Sequence, residues 1–345
     1  MPRSFDDLPG FSAEDHLAAF KVFVRSCEAI AAKAAPLRKG TIASAAFEAI
    51  AHAALREDVT DAAQARRFFE THFRPFDISV KGQVPGSNGF LTGYYEPLVE
   101  GSLTRSRDFA APILARPDNL ESLKLYPSRA EIEAGSIGSH TRPVVWLRDF
   151  VEVFLIQVQG SARIRLMDGR VKRLVYAGRN GLPYTSIGRS LIDSGEITEA
   201  DMSLAALKQW IRAHGQNPGE AGLTLMHRNQ SYVFFDLDAD TDPQLGPTGG
   251  QAIGLTALRS IAIDRTIWPY GLPFWIDADL PWHSAAISAF RRLMIAQDTG
   301  SAIVGPARVD IFFGSGDDAG ARAGDIRHAG GVTVLLPAVE GRTGE

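Results

Sequence analysis

Between Ser12 and Arg74 the apolar positions recur in steps of three and four. From Ala13 to Ala35, Leu17, Phe20, Val24, Cys27 and Ile30 fall on one stripe, the pattern of an amphipathic helix. The spacing predicts a second helix over Ile42 to Leu55 and a third over Thr60 to Phe73, with Thr60 or Asp61 as its N-cap. These helices hold no cluster of catalytic residue types and read as scaffold.

The period then shortens. Ile78 to Gln83 and Phe90 to Tyr95 read as strands around the turn Pro85-Gly86-Ser87-Asn88-Gly89. Val144 to Gln159 reads as two strand-like stretches. Ala162 to Met167 and Val171 to Tyr176 form a hairpin across Asp168-Gly169. Helices are expected over Ser186 to Ser194 and Glu199 to His214. Strands are expected at Tyr232 to Phe235, Leu272 to Ile276, Val309 to Phe313 and Val332 to Leu336. Two irregular stretches, Gly101 to Asn119 and Asp236 to Gly250, read as crossings between domains. They divide the chain into a discontinuous domain, residues 1–100 plus 237–345, and an inserted β-rich domain, residues 101–236. The fold class is mainly β with a helical N-terminal segment.

Composition narrows the function classes. Of 345 residues, 45% are apolar and 22% charged, enough to bury a globular core. The formal net charge of -4 argues against a nucleic-acid partner. The one cysteine, Cys27, rules out an intrachain disulfide and a cysteine metal cluster, and reads as a small buried residue on a helix. No apolar run reaches transmembrane length, so no integral membrane span is expected. The first residues, Met1-Pro2-Arg3-Ser4-Phe5-Asp6-Asp7, lack the apolar centre of a signal peptide. Either the protein is cytoplasmic or an export signal has been removed.

Three residue sets carry candidate chemistry. In Val309-Asp310-Ile311-Phe312-Phe313 alternation sends Val309, Ile311 and Phe313 to the core and Asp310 the other way, beside Phe312. A carboxyl group among apolar neighbours loses solvation, and its pKa rises toward that of a general acid working near neutrality. Gly314 and Gly316 let a ligand or strand come close, and Asp317 opens a short helix. Asp298 precedes this stretch. In Thr92-Gly93-Tyr94-Tyr95-Glu96-Pro97 the adjacent tyrosines face opposite ways, one ring being available to a sugar. Gln159-Gly160-Ser161, Tyr176-Ala177-Gly178-Arg179-Asn180-Gly181 and Ser186-Ile187-Gly188 place neutral polar groups among glycines, which suits a ligand rich in hydroxyls and amides. Each set also has a plain reading, as turn or strand residues. The eight histidines show no metal-binding spacing. No nucleophile elbow and no phosphate-binding loop is present, and Gly246 to Gly254 reads as a surface loop.

Taken in order, these stretches resemble the membrane-bound lytic murein transglycosylase A family. The matching runs are Phe90 to Pro97, Gln157 to Ser161, Tyr176 to Gly181, Ser186 to Gly188, Ala262 to Ile267 with Pro269 and Gly271, Asp298 through Asp310 to Gly316, and Ala319 to Gly324. The resemblance implies a double-psi β-barrel with the smaller β-rich domain inserted into it and a deep groove between them. It implies a lyase-type enzyme, needing no cofactor, that cleaves the β-1,4 bond between N-acetylmuramic acid and N-acetylglucosamine in peptidoglycan. The product end is a 1,6-anhydromuramic sugar. Asp310 matches the family's catalytic residue, acting first as acid and then as base, and Asp298 matches a supporting carboxylate. Thr92, Tyr94, Gln159, Ser161, Tyr176, Asn180 and Ser186 would hold the glycan.

The implied partners are peptidoglycan strands and other cell-wall enzymes. The implied place is the periplasm, in association with the outer membrane, as a monomer. No lipid-attachment cysteine stands near the start, which leaves anchoring open. The basic set Arg163, Arg165, Arg170, Lys172 and Arg173 reads as a solvated hairpin face or as an attractor of peptide-stem carboxylates. Two alternatives stay open: a hydrolase pairing Asp310 with Asp298 or Asp264, and a non-catalytic peptidoglycan-binding protein.

Overall fold

The computed structural model describes residues 2–78, 89–121, 126–238 and 245–338. The strand expected at Ile78 to Gln83 and its turn fall almost entirely outside the described residues. The chain opens with α1 (His16–Ala31), α2 (Ala45–Arg56) and α3 (Ala62–His72), followed by β1 (Phe73–Asp77) and β2 (Gly89–Glu96). Next come β3 (Leu98–Gly101), β4 (Ala111–Leu114), α4 (Arg129–Glu133), β5 (Pro143–Leu147), α5 (Phe150–Gln159), β6 (Ala162–Leu166) and β7 (Val171–Arg179). The helices α6 (Ile187–Asp193), α7 (Leu204–Ala213) and α8 (Ala221–His227) lead to β8 (Val233–Asp238) and β9 (Ser260–Ala262). The last elements are β10 (Pro273–Leu280), β11 (Ser288–Asp298), β12 (Arg308–Ser315), α9 (Asp317–Gly324) and β13 (Arg327–Pro337).

Contacts divide the chain into two compact units. The first holds residues 1–94, 248–314 and 325–345; the second holds 95–247 and 315–324. The crossings therefore fall at 94/95 and 247/248, with a short excursion of the second unit at 315–324.

In the first unit a sheet runs β13-β10-β11-β9-β12-β2 and closes where β2 also pairs β13, giving a six-stranded barrel. One edge of the long β13 takes β2 at Arg327 to Gly330 and β1 at Thr333 to Pro337. The helices pack by their own stripes. Asp15, Ser44 and Asp61 cap α1, α2 and α3, each side chain accepting a backbone N–H three residues on. The rings of Phe20, Phe23, Phe47, Phe68 and Phe73 meet edge-on or tilted between them. A buried polar network fastens α1 to the barrel: Ser26 donates to Gln251, Gln297 donates to Ser26 and to the Val22 carbonyl, and Ser260 donates to Gln297.

The second unit holds the sheet β3-β6-β7-β8 and the separate pair β4-β5. Here one expectation fails. The stretch Val144 to Gln159 is a strand, β5, followed by the helix α5 and not by a second strand. Asp149 caps α5 through the Glu152 N–H, and Val151 and Val153 to Gln157 are all buried. A helix buried on most sides shows no amphipathic period, and its β-branched residues imitate a strand.

The basic set also divides. Arg163 and Arg173 turn inward and bind the buried Glu96. Arg165 and Arg170 stay exposed, and Arg170 pairs with Asp168. The set is therefore not one solvated face.

The candidate active site

The barrel strands β2 and β12 lie side by side, and alternation sets three residues of each on a shared face. Phe90 carries the Arg308 guanidinium at 4.9 Å from its ring centre. Thr92 donates a 2.5 Å hydrogen bond from Oγ1 to Asp310 Oδ1. The Tyr94 and Phe312 rings meet at 5.3 Å. Exposure falls along this row, from 49% at Phe90 to 9% at Tyr94 and 1% at Phe312. Asp310 sits in the middle, half-buried, with Val309, Ile311 and Phe313 buried on the opposite face.

This position sets the proton affinity of Asp310. Burial disfavours the charged form and pushes the carboxyl up to about 6. The Thr92 hydrogen bond and the Arg308 charge pull it down, and the neighbouring Asp298 charge adds to the rise. The protonated form is thus well populated in mildly acidic water while part of the residue remains within reach of a ligand.

Asp298 reaches the same region from the end of β11. Its register partner is Ala262 of β9, and Asp310 pairs with Ala262 from the other side. The two aspartates stand two strand spacings apart, ~10 Å between Cα positions. Both oxygens of Asp298 are held: Oδ2 accepts the Tyr94 hydroxyl at 2.9 Å and Oδ1 accepts the Gly250 N–H at 2.7 Å. The Tyr94 hydroxyl is pushed well above its ordinary pKa by burial, then by the charges of Asp298 and Asp310. It stays protonated and donates.

Gly250 joins this cluster through a backbone N–H, which no sequence motif marks. A Cβ there would come within 2.6 Å of the Tyr270 hydroxyl. That hydroxyl is itself tied to the Arg38 carbonyl.

Asp264 is fixed elsewhere. Its Oδ1 accepts the Thr266 N–H and hydroxyl, and its Oδ2 accepts the Gly305 N–H. Burial raises its pKa, but these donors outweigh that and leave it below the usual carboxylate range. It is a turn-holding carboxylate with donors on both oxygens.

The remaining candidates belong to the second unit. Gln159, the last residue of α5, is half-buried, and its Oε1 accepts the Tyr95 N–H at 3.2 Å. Ser161 is buried and Tyr176 half-buried, beside an irregularity in β7. Asn180 is spent on structure. Its amide donates to the carbonyls of Pro127 and Gln230, and its oxygen accepts from the Leu182 and Tyr232 N–H groups. Ser186 caps α6 through the Arg189 N–H. Thr92, Tyr94, Asp298 and Asp310 are thus brought together in the barrel unit, while the other five lie in the inserted unit.

A closed β-barrel presenting one raised carboxyl group near a held one is a candidate general-acid site. The comparisons with known proteins agree in order and extent. The MltA specific insert domain matches residues 90–236 and the 3D domain matches residues 259–336. Membrane-bound lytic murein transglycosylase A of Escherichia coli (strain K12) is 36% identical over 275 residues, covering 77% of this chain and 72% of that protein. The Vibrio cholerae protein of the same name is 33% identical over 254 residues, covering 72% and 65%.

Among solved structures, the membrane-bound lytic murein transglycosylase from Agrobacterium tumefaciens superimposes with a TM-score of 0.84 at 35% identity, covering 97% of each chain. E. coli MltA with bound chitohexaose gives 0.70 at 30% identity, covering 93% of this chain and 90% of that one. The chain belongs to the membrane-bound lytic murein transglycosylase A family. No helix among the described residues is long and apolar enough to cross a membrane.

Proposed function

We propose that Asp310 is the single acid and base with which this lytic transglycosylase cuts peptidoglycan glycan strands. The observation that carries this is a half-buried carboxyl group pushed up to about 6. Protonated, Asp310 delivers its proton to the leaving oxygen of the β-1,4 bond between N-acetylmuramic acid and N-acetylglucosamine. As a carboxylate, it then takes the proton of the muramic 6-hydroxyl while that oxygen attacks C1. The nucleophile is part of the substrate, so the attack gains from high effective molarity. A 1,6-anhydromuramic end is formed and no water is consumed.

Asp298 acts through its neighbours. It fixes the Tyr94 hydroxyl and adds a negative charge that favours the protonated form of Asp310. A hydrolase of the inverting kind needs a second carboxylate ready to activate water. The oxygens of Asp298 are held by Tyr94 and Gly250 and those of Asp264 by Thr266 and Gly305, which favours the lytic reaction.

Thr92 and Tyr94 flank the reacting bond in this reading, and Gln159, Ser161 and Tyr176 of the inserted unit meet the glycan. Asn180 and Ser186 serve by shaping their loops. The enzyme's place is the periplasm, close to the outer membrane, in keeping with the membrane-bound relatives. Digestion of purified sacculi followed by mass spectrometry tests the reaction. Fragments ending in anhydromuramic sugars are expected, and reducing ends without them would overturn the mechanism.

A further inference from the structure

The row of residues that presents Asp310 continues one step further toward solvent, where Arg308 lies against Phe90. Strand alternation sets Arg308 on the Asp310 face, about 7 Å along the strand. Its guanidinium lies 4.9 Å from the centre of the Phe90 ring, a cation–π contact, and the ring is 49% exposed. Nη1 donates to the Val309 carbonyl at 2.8 Å and to the Phe90 carbonyl at 3.4 Å. Both bonds fix the group through one nitrogen. The Nε and Nη2 edge of a guanidinium suits a carboxylate in two-bond geometry.

The charge that surrounds this group is also informative. Asp310 is the carboxylate whose field supports the Arg308 cation. In its acid form Asp310 is neutral and offers no counter-charge. A partly desolvated, ring-held cation then stands one pleat from a neutral Asp310.

We infer that Arg308, held by Phe90, is a specificity residue that binds the carboxylate borne by the muramic acid side of the substrate. The inference rests on the reaction proposed above. The two sugars of the strand differ at C3: N-acetylmuramic acid carries a lactyl ether and N-acetylglucosamine does not. Both have a 6-hydroxyl and both enter β-1,4 bonds, so the intramolecular chemistry alone does not choose between the two kinds of bond. A cation one pleat away from the acid supplies that choice. It draws the substituted sugar into register and leaves the alternate bond misplaced. The carboxylate has two sources, the lactyl group itself where the peptide stem is absent and the acidic residues of the stem where it is present.

Binding calorimetry on the non-cleaving Asp310→Asn protein tests this, with Arg308 retained or changed to Gln or Lys. Three ligands separate the sources: glycan strands freed of their stems, which bear lactyl carboxylates; stem-bearing muropeptides; and chitohexaose, which bears neither. The Arg308→Gln change is expected to weaken carboxylate-bearing ligands about tenfold, the loss of one charged hydrogen-bond pair. Chitohexaose should change by less than about twofold on the same scale. Arg308→Lys should recover part of the loss. Whichever carboxylate ligand loses affinity identifies the source.

Equal weakening of all three ligands, or no weakening of any, overturns the inference. A measurement with Arg308 retained guards against a misfolded variant. Raised salt should weaken the carboxylate ligands and spare chitohexaose, and salt-insensitive binding of all three overturns the inference as well. The reaction itself is judged separately, by the sugar ends that the unaltered enzyme releases from sacculi.

Discussion

Glu96 in the inserted unit and Asp310 in the barrel are both strand-borne carboxyl groups pressed into protein, and they differ in how fully their oxygens are answered. Glu96 is completely buried. It accepts from Arg163 at 2.8 Å, from Arg173 at 2.5 Å and from the Ser315 hydroxyl at 2.6 Å. Two fixed guanidinium groups and a hydroxyl hold it as an anchor. Asp310 is less buried yet receives a hydrogen bond from Thr92, with Arg308 one pleat away. Burial without full compensation raises proton affinity, and burial with compensation builds structure. The carboxyl group proposed to react is the less satisfied of the two, not the deeper one.

The sharpest test of this contrast removes each carboxylate in turn. Asp310→Asn should lower kcat on sacculi by about a thousandfold, within the range for a lost general acid, with the fold retained by circular dichroism. Near-normal rates would end the assignment. Glu96→Ala should destabilise the inserted unit by about 3–5 kcal/mol, because the buried Arg173 and the half-buried Arg163 lose the carboxylate they share. Urea unfolding followed by the fluorescence of Trp146 and Trp210 measures it. A change below about 1 kcal/mol would mean that the cluster is not an anchor.

Tyr94→Phe deletes the donor to Asp298 and keeps the ring against Phe312. It should cost about tenfold in kcat, one hydrogen bond to a charged group, with KM nearly constant. Thr92→Val removes the bond that lowers the Asp310 pKa. The alkaline limb of the kcat/KM profile, expected near pH 6 in the unaltered enzyme, should then move to higher pH. A shift to lower pH would contradict the geometry.

The smallest effect is on stability. Asp310 binds its proton more tightly folded than unfolded, so its ionisation weighs against the fold increasingly between about pH 4 and pH 6. Asp310→Asn should therefore stabilise the barrel by about 1–2 kcal/mol at pH 7.5, and the gain should vanish as pH falls below about 4.

Local signals made part of this legible in the chain. The stripe from Leu17 to Ile30 and the cap at Asp61 placed the first helices within a few residues. Alternation around Asp310 separates the buried Val309, Ile311 and Phe313 from the face that carries Asp310. What escaped depends on distant partners. Arg163 and Arg173 look like Arg165 and Arg170 in sequence, and only a carboxylate 67 and 77 residues away distinguishes them. The strand β11 leaves no alternation in the sequence because its second half is buried on both faces. Asn180 sits in a glycine-rich run that suited a ligand, yet four backbone groups use up its amide. Gly250 contributes through its main chain, which side-chain reasoning does not see.

The Glu96 anchor has a consequence for synthesis on the ribosome. Its ligands come from the segment entering the inserted unit, from Arg163 and Arg173 within it, and from Ser315, which is translated 68 residues after the unit's main stretch ends at Pro247. The Gly316 N–H bonds the Glu96 carbonyl, and α9 lies so close to Tyr95 that a Cβ on Gly320 would come within 2.6 Å of its ring. Most of the barrel strands are therefore translated before the strap that completes the Glu96 cluster. An insert excised at residues 90–236 would leave that strap behind.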